Sequence, residues 1–355
     1  MKKTAVAIFV IIIMAMPVSA QDMDNVYSRQ IDNIISEYSI DFEKLKEYPF
    51  ETIWEVVKTN IKNYFALPLG ALYKITSILL VATLINFLNF DNNRQIAQII
   101  DTVAMLIMFY TVYDAFTAMT EGVSDMLYNV KNFMMTFVPV LGGITFASGE
   151  IITSSVYTGF FLIAVVAVAN ICVTYIIPSI GLYLAVGVTS GITSVINLKP
   201  LCDFYSKAVK IAMTAAVSVL CFMLSLQNVI SQGKDGLMIK AGKLFVTSTV
   251  PIIGSSLENA VGSIYASMGV LKGFCGLAGI AVVLLIFLPN IITLSVNWLC
   301  YQLMSIISEI LENKWAKELL DCFKEVIEIL LSMSILFLIL LVFSLTVMIK
   351  AVGIG

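Results

Sequence analysis

Long apolar runs separated by short polar segments occupy the chain from residue 66 to the C-terminus. Most runs reach the roughly 20 residues that a helix needs to cross a hydrocarbon core about 30 Å thick. Backbone N–H and C=O groups find no water partners in lipid, so each run is expected to be a helix. The runs predicted to cross the membrane are 66–88, 96–118, 155–177, 179–197, 211–230, 269–288, 290–308 and 326–349. The pattern therefore predicts an all-α, polytopic membrane helix bundle over residues 66–355.

The polar segments between the runs are predicted loops, and their charges leave the topology open. The longer ones are 198–210, 231–243 and 309–325. Lysines are spread almost evenly between the two alternating sets of loops, so the positive charge that marks cytoplasmic loops does not select an orientation. Segment 309–325 is predicted to lie inside the cell, and the C-terminus outside, whichever way the middle of the chain runs.

The first 20 residues have the order of a cleaved signal peptide. Lys2 and Lys3 form a positive start, and residues 4–16 form an apolar core that is too short to span a membrane comfortably. A proline and the small residues Val18-Ser19-Ala20 follow, which predicts cleavage after Ala20. An uncleaved anchor is the alternative. A working signal would place the mature N-terminus on the outer side of the membrane.

Residues 21–65 form the one sizeable polar stretch and are predicted to be an extracytoplasmic, amphipathic helical segment. Apolar residues recur at helical spacing on both sides of Pro49, which predicts two helices split at that proline. The residues that carry the pattern are Ile31, Ile34, Ile35, Tyr38, Phe42 and Leu45, then Phe50, Ile53, Trp54, Val57 and Ile61. These helices could lie on the membrane surface, on a partner or on the rest of this protein.

Two apolar stretches contain residues that loosen a helix, because proline removes a backbone donor and glycine adds freedom. The residues singled out are Val138, Pro139, Gly142, Gly143 and Glu150 in the first stretch, and Val250, Pro251, Gly254 and Glu258 in the second. We call them the first and second Val-Pro stretches. They suit broken or re-entrant helices packed inside a bundle. The alternative is a kinked span whose small residues allow close helix packing.

The surroundings of the two Val-Pro stretches favour an internal duplication of 96–197 and 211–308. Each stretch follows an apolar run and a polar linker, and each precedes a second proline, Pro178 or Pro289, placed between two apolar runs. Repeats around discontinuous helices are common in transporters. The two halves would run inverted if the stretches are re-entrant, and parallel if they span the membrane.

Composition agrees with a membrane location and narrows the chemistry. Hydrophobic residues make up 59% of the chain and charged residues 13%, against about 45–50% and 25% in soluble domains. The net charge of −3 and the lack of a basic run give no sign of a nucleic-acid partner. The chain has no histidine, and its six cysteines include no C-x-x-C pair, so cysteine is expected to act as a small buried hydrophobe.

No motif for catalysis or cofactor binding is present. The chain lacks the G-x-S-x-G elbow of serine hydrolases and the G-x-x-x-x-G-K-[ST] loop that holds nucleotide phosphates. The sequence therefore predicts neither an enzyme nor a cofactor or metal site.

Four carboxylates interrupt or adjoin apolar runs, namely Asp101, Asp114, Glu150 and Glu258. Asp101 and Asp114 are about 20 Å apart along a helix, so they do not form one site by themselves. An ionisable group at depth in a membrane usually faces a polar cavity or a partner, which would suit ion or proton coupling. Placement near the membrane surface is the alternative for each.

The order of signal peptide, short helical segment and multi-span region with two Val-Pro stretches resembles the stage III sporulation protein AE family of endospore-forming bacteria. The resemblance covers essentially the whole chain. It rests on Phe137-Val138-Pro139-Val140-Leu141 with Ser148-Gly149 and Ser154-Ser155, and on Val250-Pro251-Ile252-Ile253-Gly254-Ser255-Ser256-Leu257-Glu258-Asn259-Ala260-Val261-Gly262 with Leu271-Lys272-Gly273. The chain has Gly254-Ser255 where the family usually has a Gly-Gly pair, a departure that is conservative in size.

The resemblance implies a subunit of a sporulation channel or feeding tube that sustains the engulfed forespore. It implies a place in the mother-cell membrane around the forespore, with companion membrane proteins and a forespore partner across the intermembrane space. A free-standing secondary transporter is the alternative, and it would act without companions. No residue pattern in the sequence identifies a transported substrate.

Overall fold

A computed structural model describes residues 49–88, 94–148, 150–192, 200–222, 225 and 254–350. The predicted signal peptide, the first amphipathic helix and residues Val250 and Pro251 lie outside the described residues. All regular structure in the described part of the chain is helical, which confirms the all-α prediction. The elements are α1 (Pro49–Leu88), α2 (Arg94–Ala147), α3 (Ile151–Val156), α4 (Leu162–Ile171), α5 (Ile177–Ile192), α6 (Pro200–Phe222), α7 (Gly254–Ile310) and α8 (Lys314–Lys350).

Six helical stretches of the described residues are long and apolar enough to cross a membrane. They are Pro68–Ile85, Ile99–Ala147, Thr158–Gly187, Pro200–Phe222, Cys275–Ile310 and Lys314–Ile349. Many large apolar side chains on these helices are exposed on the outside of the chain, as expected for a lipid-facing surface. The polytopic membrane helix bundle predicted from the sequence is therefore confirmed.

The sequence predicts two separate spans on either side of Pro178 and of Pro289, whereas the structure has continuous helix through both prolines. Residues 151–192 form one rod in which wider π-helical turns, Tyr157–Phe161 and Cys172–Ile176, join α3, α4 and α5. The second π turn ends just before Pro178, where a proline ring would crowd the carbonyl of the preceding turn. Helix α7 runs through Pro289 for 57 residues, so runs 269–288 and 290–308 belong to one helix.

Two segments predicted as loops are also mostly helical. Segment 198–210 enters α6 at Pro200, and segment 309–325 contributes the first turns of α8. The charged residues of α8 from Lys314 to Glu325 lie along one side of the helix, while its apolar side packs into the core. Leu319, Leu320 and Phe323 are fully buried there. Charge frequency alone therefore mistook an amphipathic helix for a loop.

The boundary expected at residue 65 is not a helix end. Helix α1 starts at Pro49, where the fixed φ of proline suits a first turn. It then continues through Pro68 for 40 residues. The amphipathic pattern around Trp54 and the first predicted span are therefore parts of a single helix.

A three-residue turn joins α7 to α8 and folds them into an antiparallel hairpin. Asn313 N–H donates to Ser308 O at 2.9 Å, and Glu312 N–H donates to Glu309 O at 3.0 Å. This pair of bonds is a Schellman motif, in which the residue after the cap takes a left-handed conformation. That residue is Glu312, with φ of 53°, where glycine usually stands.

The core is a bundle of α1, α2, α7 and α8, and α3 to α6 pack on its outside. Small residues bring the core helices close together. A Cβ at Gly279 of α7 would overlap the ring of Phe137 on α2, and one at Gly276 would overlap Ile349 on α8. Close approach at small residues is a common source of helix association in membranes, where apolar burial gives little driving force.

Candidate functional site

A cavity of about 450 Å³ with several polar side chains in its wall lies between α1, α2 and α7, and we call it the α1–α2–α7 cavity. Its polar lining residues are Lys74 on α1, Thr111 and Asp114 on α2, and Asn290, Thr293 and Asn297 on α7. Small residues leave the space open, namely Gly70, Ala71, Ala115, Ala118 and Gly122. Such a cluster of polar groups within an apolar bundle is the strongest candidate for a binding site or passage.

Helix α7 sets the polar wall of this cavity through residues spaced i, i+3 and i+7. Asn290, Thr293 and Asn297 therefore share one helix face. Asn290 donates from Nδ2 to Gly122 O on α2 at 2.8 Å, which ties the two helices together. Thr293 donates to Pro289 O at 2.9 Å, and Asn297 donates to Thr293 O at 2.8 Å. These bonds fix the orientation of the polar face.

One cation and one anion line the same cavity. Lys74 and Asp114 are both exposed at its wall. Lys74 is the seventh residue of the apolar stretch Pro68–Ile85. The sequence marks Asp114 as a candidate, and the structure gives it a polar cavity and a neighbouring cation. Three polar residues at helical spacing on α7 are the signal that sequence reasoning missed.

Asp101 does not line the α1–α2–α7 cavity. It lies at the far end of the bundle with Thr83 and the turn between α7 and α8. There Asn313 donates from Nδ2 to Thr83 Oγ1 at 2.7 Å. Asp101 and Asp114 are therefore not brought together, which agrees with their spacing along α2.

The first Val-Pro stretch is the continuous C-terminal part of α2, because the helix passes through Pro139 and ends at Ala147. Its residues differ in surroundings. Val138 is buried, whereas Pro139 and Gly143 are exposed and nothing lies within 4 Å of a Cβ built at Gly143. A Cβ at Gly142 would overlap Oγ1 of Thr158, so Gly142 alone permits close packing of the returning rod.

The chain reverses direction immediately after α2. Ser154 of α3 donates to Gly142 O at 2.7 Å, which fastens the return at its start. Glu150 is buried at this reversal, next to the N-terminus of α3. A carboxylate is favourable beside the partial positive charge of a helix N-terminus. Of the second stretch, Gly254 is the first residue of α7, and the side chain of Glu258 lies outside the described residues.

A second polar group, absent from the sequence predictions, joins α5, α6, α7 and α8. Lys210 of α6 forms an ion pair with Glu328 of α8 at 2.6 Å, and Trp298 of α7 donates to the same carboxylate at 3.1 Å. Tyr183 of α5 donates to Glu325. These bonds satisfy charged groups among packed helices, and they indicate a structural clamp.

Metal chemistry finds no support in the described residues. No group of three or more cysteine, aspartate or glutamate side chains is arranged to hold an ion there. The cysteines in this part are free thiols, and Cys172, Cys202 and Cys300 are buried.

A protein-family model described as Stage III sporulation protein AE matches residues 27–352. The chain belongs to the stage III sporulation protein AE family. A curated relative, the Stage III sporulation protein AE of Bacillus subtilis (strain 168), is 20% identical over 285 residues, which cover 80% of this chain and 70% of that protein. No solved structure matches the chain.

The match confirms the family resemblance read from the Val-Pro stretches. Membership assigns the chain to the membrane proteins of sporulation, a family that is not known for enzymes. The helices described above make it a multi-pass membrane protein.

Proposed function

We propose that this protein is a membrane subunit of a channel or export complex that links the mother cell to the forespore. It would lie in the mother-cell membrane around the engulfed forespore and act with companion membrane proteins and a forespore partner. The observation that carries the proposal is the family match over residues 27–352. The multi-pass bundle supports it, since a subunit of a passage through a membrane must itself reside there.

The dimensions of the bundle agree with a role in an assembly. The stretch Ile99–Ala147 has 49 residues, or about 74 Å of helix, against a hydrocarbon core of about 30 Å. A helix of that length extends well beyond the core or is strongly tilted within it. Lengths outside the core offer surfaces for companion proteins on either side.

Deletion of the gene tests the proposed role. The deletion strain is expected to grow normally and to arrest during sporulation with engulfed, undeveloped forespores. Microscopy with a membrane dye and counts of heat-resistant spores measure both effects, and a plasmid copy of the gene should restore spore formation. Resistant spores at the wild-type frequency would show that the proposed role is wrong.

Purification of the tagged protein tests whether it has companions. Detergent extracts from sporulating cells should contain other sporulation membrane proteins in constant ratio to the tagged chain. Extracts mixed from separate tagged and untagged cultures serve as the control for association after lysis. A protein that always purifies alone would contradict a complex.

The second candidate is a free-standing secondary transporter, and the α1–α2–α7 cavity is the observation that favours it. A cavity lined by one cation and one anion suits a solute or a coupling ion. Reconstitution of the purified chain in proteoliposomes separates the two functions. A transporter would move solute alone, whereas a subunit of a complex would need its companions.

A further inference from the structure

Lys74 and Asp114 place opposite charges in the wall of one cavity, and the surrounding protein does not neutralise either charge. Within the described part of the chain, neither side chain takes part in an ion pair or a hydrogen bond. Both side chains are exposed at the cavity wall, where an ionised group in a membrane protein needs water or an opposite charge beside it. The two charges therefore leave room for a ligand that supplies both counter-charges.

The rest of the cavity fits a small polar solute. A volume of about 450 Å³ lies in the range of ligand pockets, which is about 300–1,000 Å³. Asn290, Thr293 and Asn297 add amide and hydroxyl groups along the α7 wall. The glycine and alanine residues of α1 and α2 carry no side chain long enough to fill the space.

We propose that the α1–α2–α7 cavity binds a small zwitterion of the α-amino acid class, with its carboxylate toward Lys74 and its ammonium group toward Asp114. The inference rests on the proposed function, and it names a class of substrate for the proposed channel or export complex. A solute with a single charge would leave either Lys74 or Asp114 without a counter-charge. The cavity should therefore favour zwitterions over simple anions, simple amines and polyphosphates.

Equilibrium binding to the purified full-length protein in lipid nanodiscs tests the ligand class. The probe is an equimolar mixture of ¹⁴C-labelled L-amino acids. Saturable binding is expected, and unlabelled L-amino acids should displace the label. A hundredfold excess of propionate or ethylamine, each of which carries one charge, should leave most of the label bound. Absence of saturable binding, or equal displacement by either single-charge compound, would overturn the proposal.

Two variants test the assigned residues. Asp114→Asn and Lys74→Gln should each weaken binding about tenfold or more, since each removes a charge-assisted hydrogen bond to the ligand. Asp125→Asn is the matched control. Asp125 is exposed on the same face of α2, three turns from Asp114, and does not line the cavity. Unchanged affinity in both cavity variants would contradict the assignment.

The two variants should also change selectivity in opposite directions. With Asp114 neutralised, Lys74 remains, so propionate should compete better than ethylamine; with Lys74 neutralised, the order should reverse. Two charges with a purely structural role would not produce this reversal. If a variant is not monodisperse in size-exclusion chromatography, competition on the wild-type protein decides the question alone. A deletion strain that arrests while the protein binds no zwitterion would refute this inference and leave the proposed function intact.

Discussion

At the scale of single residues, two neighbouring glycines have different packing, and a non-glycine residue takes a backbone conformation that usually belongs to glycine. Gly142 and Gly143 are neighbours in the first Val-Pro stretch, yet only Gly142 lies against another helix. Glu312 shows the converse, since a non-glycine residue holds the left-handed position of the α7–α8 turn. Both features depend on the three-dimensional arrangement. The sequence alone does not distinguish two neighbouring glycines.

Replacement of Gly142 by leucine should destabilise the protein, whereas Gly143→Leu should change stability little. The added side chain at position 142 would overlap Thr158 and disturb the bond from Ser154, at a cost of about 1–3 kcal/mol typical of overpacked cores. Thermal unfolding of both variants in detergent measures the difference. Equal Tm values for the two variants would contradict close packing at Gly142.

Glycine at position 312 should stabilise the α7–α8 turn. A left-handed residue other than glycine costs roughly 1–2 kcal/mol, and part of this is offset by the freedom that glycine loses on folding. Glu312→Gly should therefore raise Tm modestly. Glu318→Gly, which places glycine within the ordinary helix α8, is the control and should lower Tm. A lower Tm for Glu312→Gly would show that the glutamate stabilises the turn by other contacts.

At the scale of elements, α8 combines paired charges with a buried apolar face. Its first half carries Glu325 and Glu328, which meet Tyr183 and Lys210 on the outer helices. Its apolar face is buried at the same time. Charge therefore does not mark a loop here, because ion pairs and hydrogen bonds between helices satisfy the groups that would otherwise seek water.

The pair Lys210–Glu328 should couple α6 to α8 more strongly than an exposed pair does. Partly buried charges are less screened, and Trp298 also donates to Glu328. A double-mutant cycle with Lys210→Met and Glu328→Gln should give a coupling free energy of about 1 kcal/mol, measured by unfolding in SDS. The same cycle on the more exposed pair Lys317–Glu309 should give clearly less. Equal coupling in both cycles would contradict the clamp.

At the scale of the whole molecule, continuous helices reduce the number of crossings. Pro289 lies within α7, so the chain from Gly254 to Ile310 is one helix rather than a pair of spans. The same holds for the rod that passes Pro178. The proposed duplication of 96–197 and 211–308 remains a prediction, as do cleavage after Ala20 and the extracytoplasmic position of residues 21–65.

Cysteine labelling tests the single crossing of α7. In a background without the native cysteines, Ser267→Cys and Glu309→Cys are about 63 Å apart along the helix, more than a bilayer core. In intact protoplasts of vegetative cells that express the protein from an inducible promoter, an impermeant maleimide should label position 267, and it should label position 309 only after permeabilisation. Permeabilised cells, in which both positions react, provide the control. Labelling of both from the same side would favour two spans divided at Pro289.

The sequence by itself determined that this protein folds in a membrane. Apolar runs of membrane length and the low charge content required helices, since lipid offers no partners for an open backbone. The order of segments and the Val-Pro stretches also identified the family. Asp114 stood out as a charge within an apolar run, and its distance from Asp101 excluded a joint site.

Only the tertiary structure decided which helices are continuous and what each polar residue faces. A proline in the sequence signals a lost hydrogen bond, but a π turn precedes Pro178, and helix α7 continues through Pro289. Lys74 and Asn290 are far apart in the chain, so no local pattern places them beside Asp114. Their meeting in one cavity depends on how three helices pack, and packing depends on contacts between distant residues.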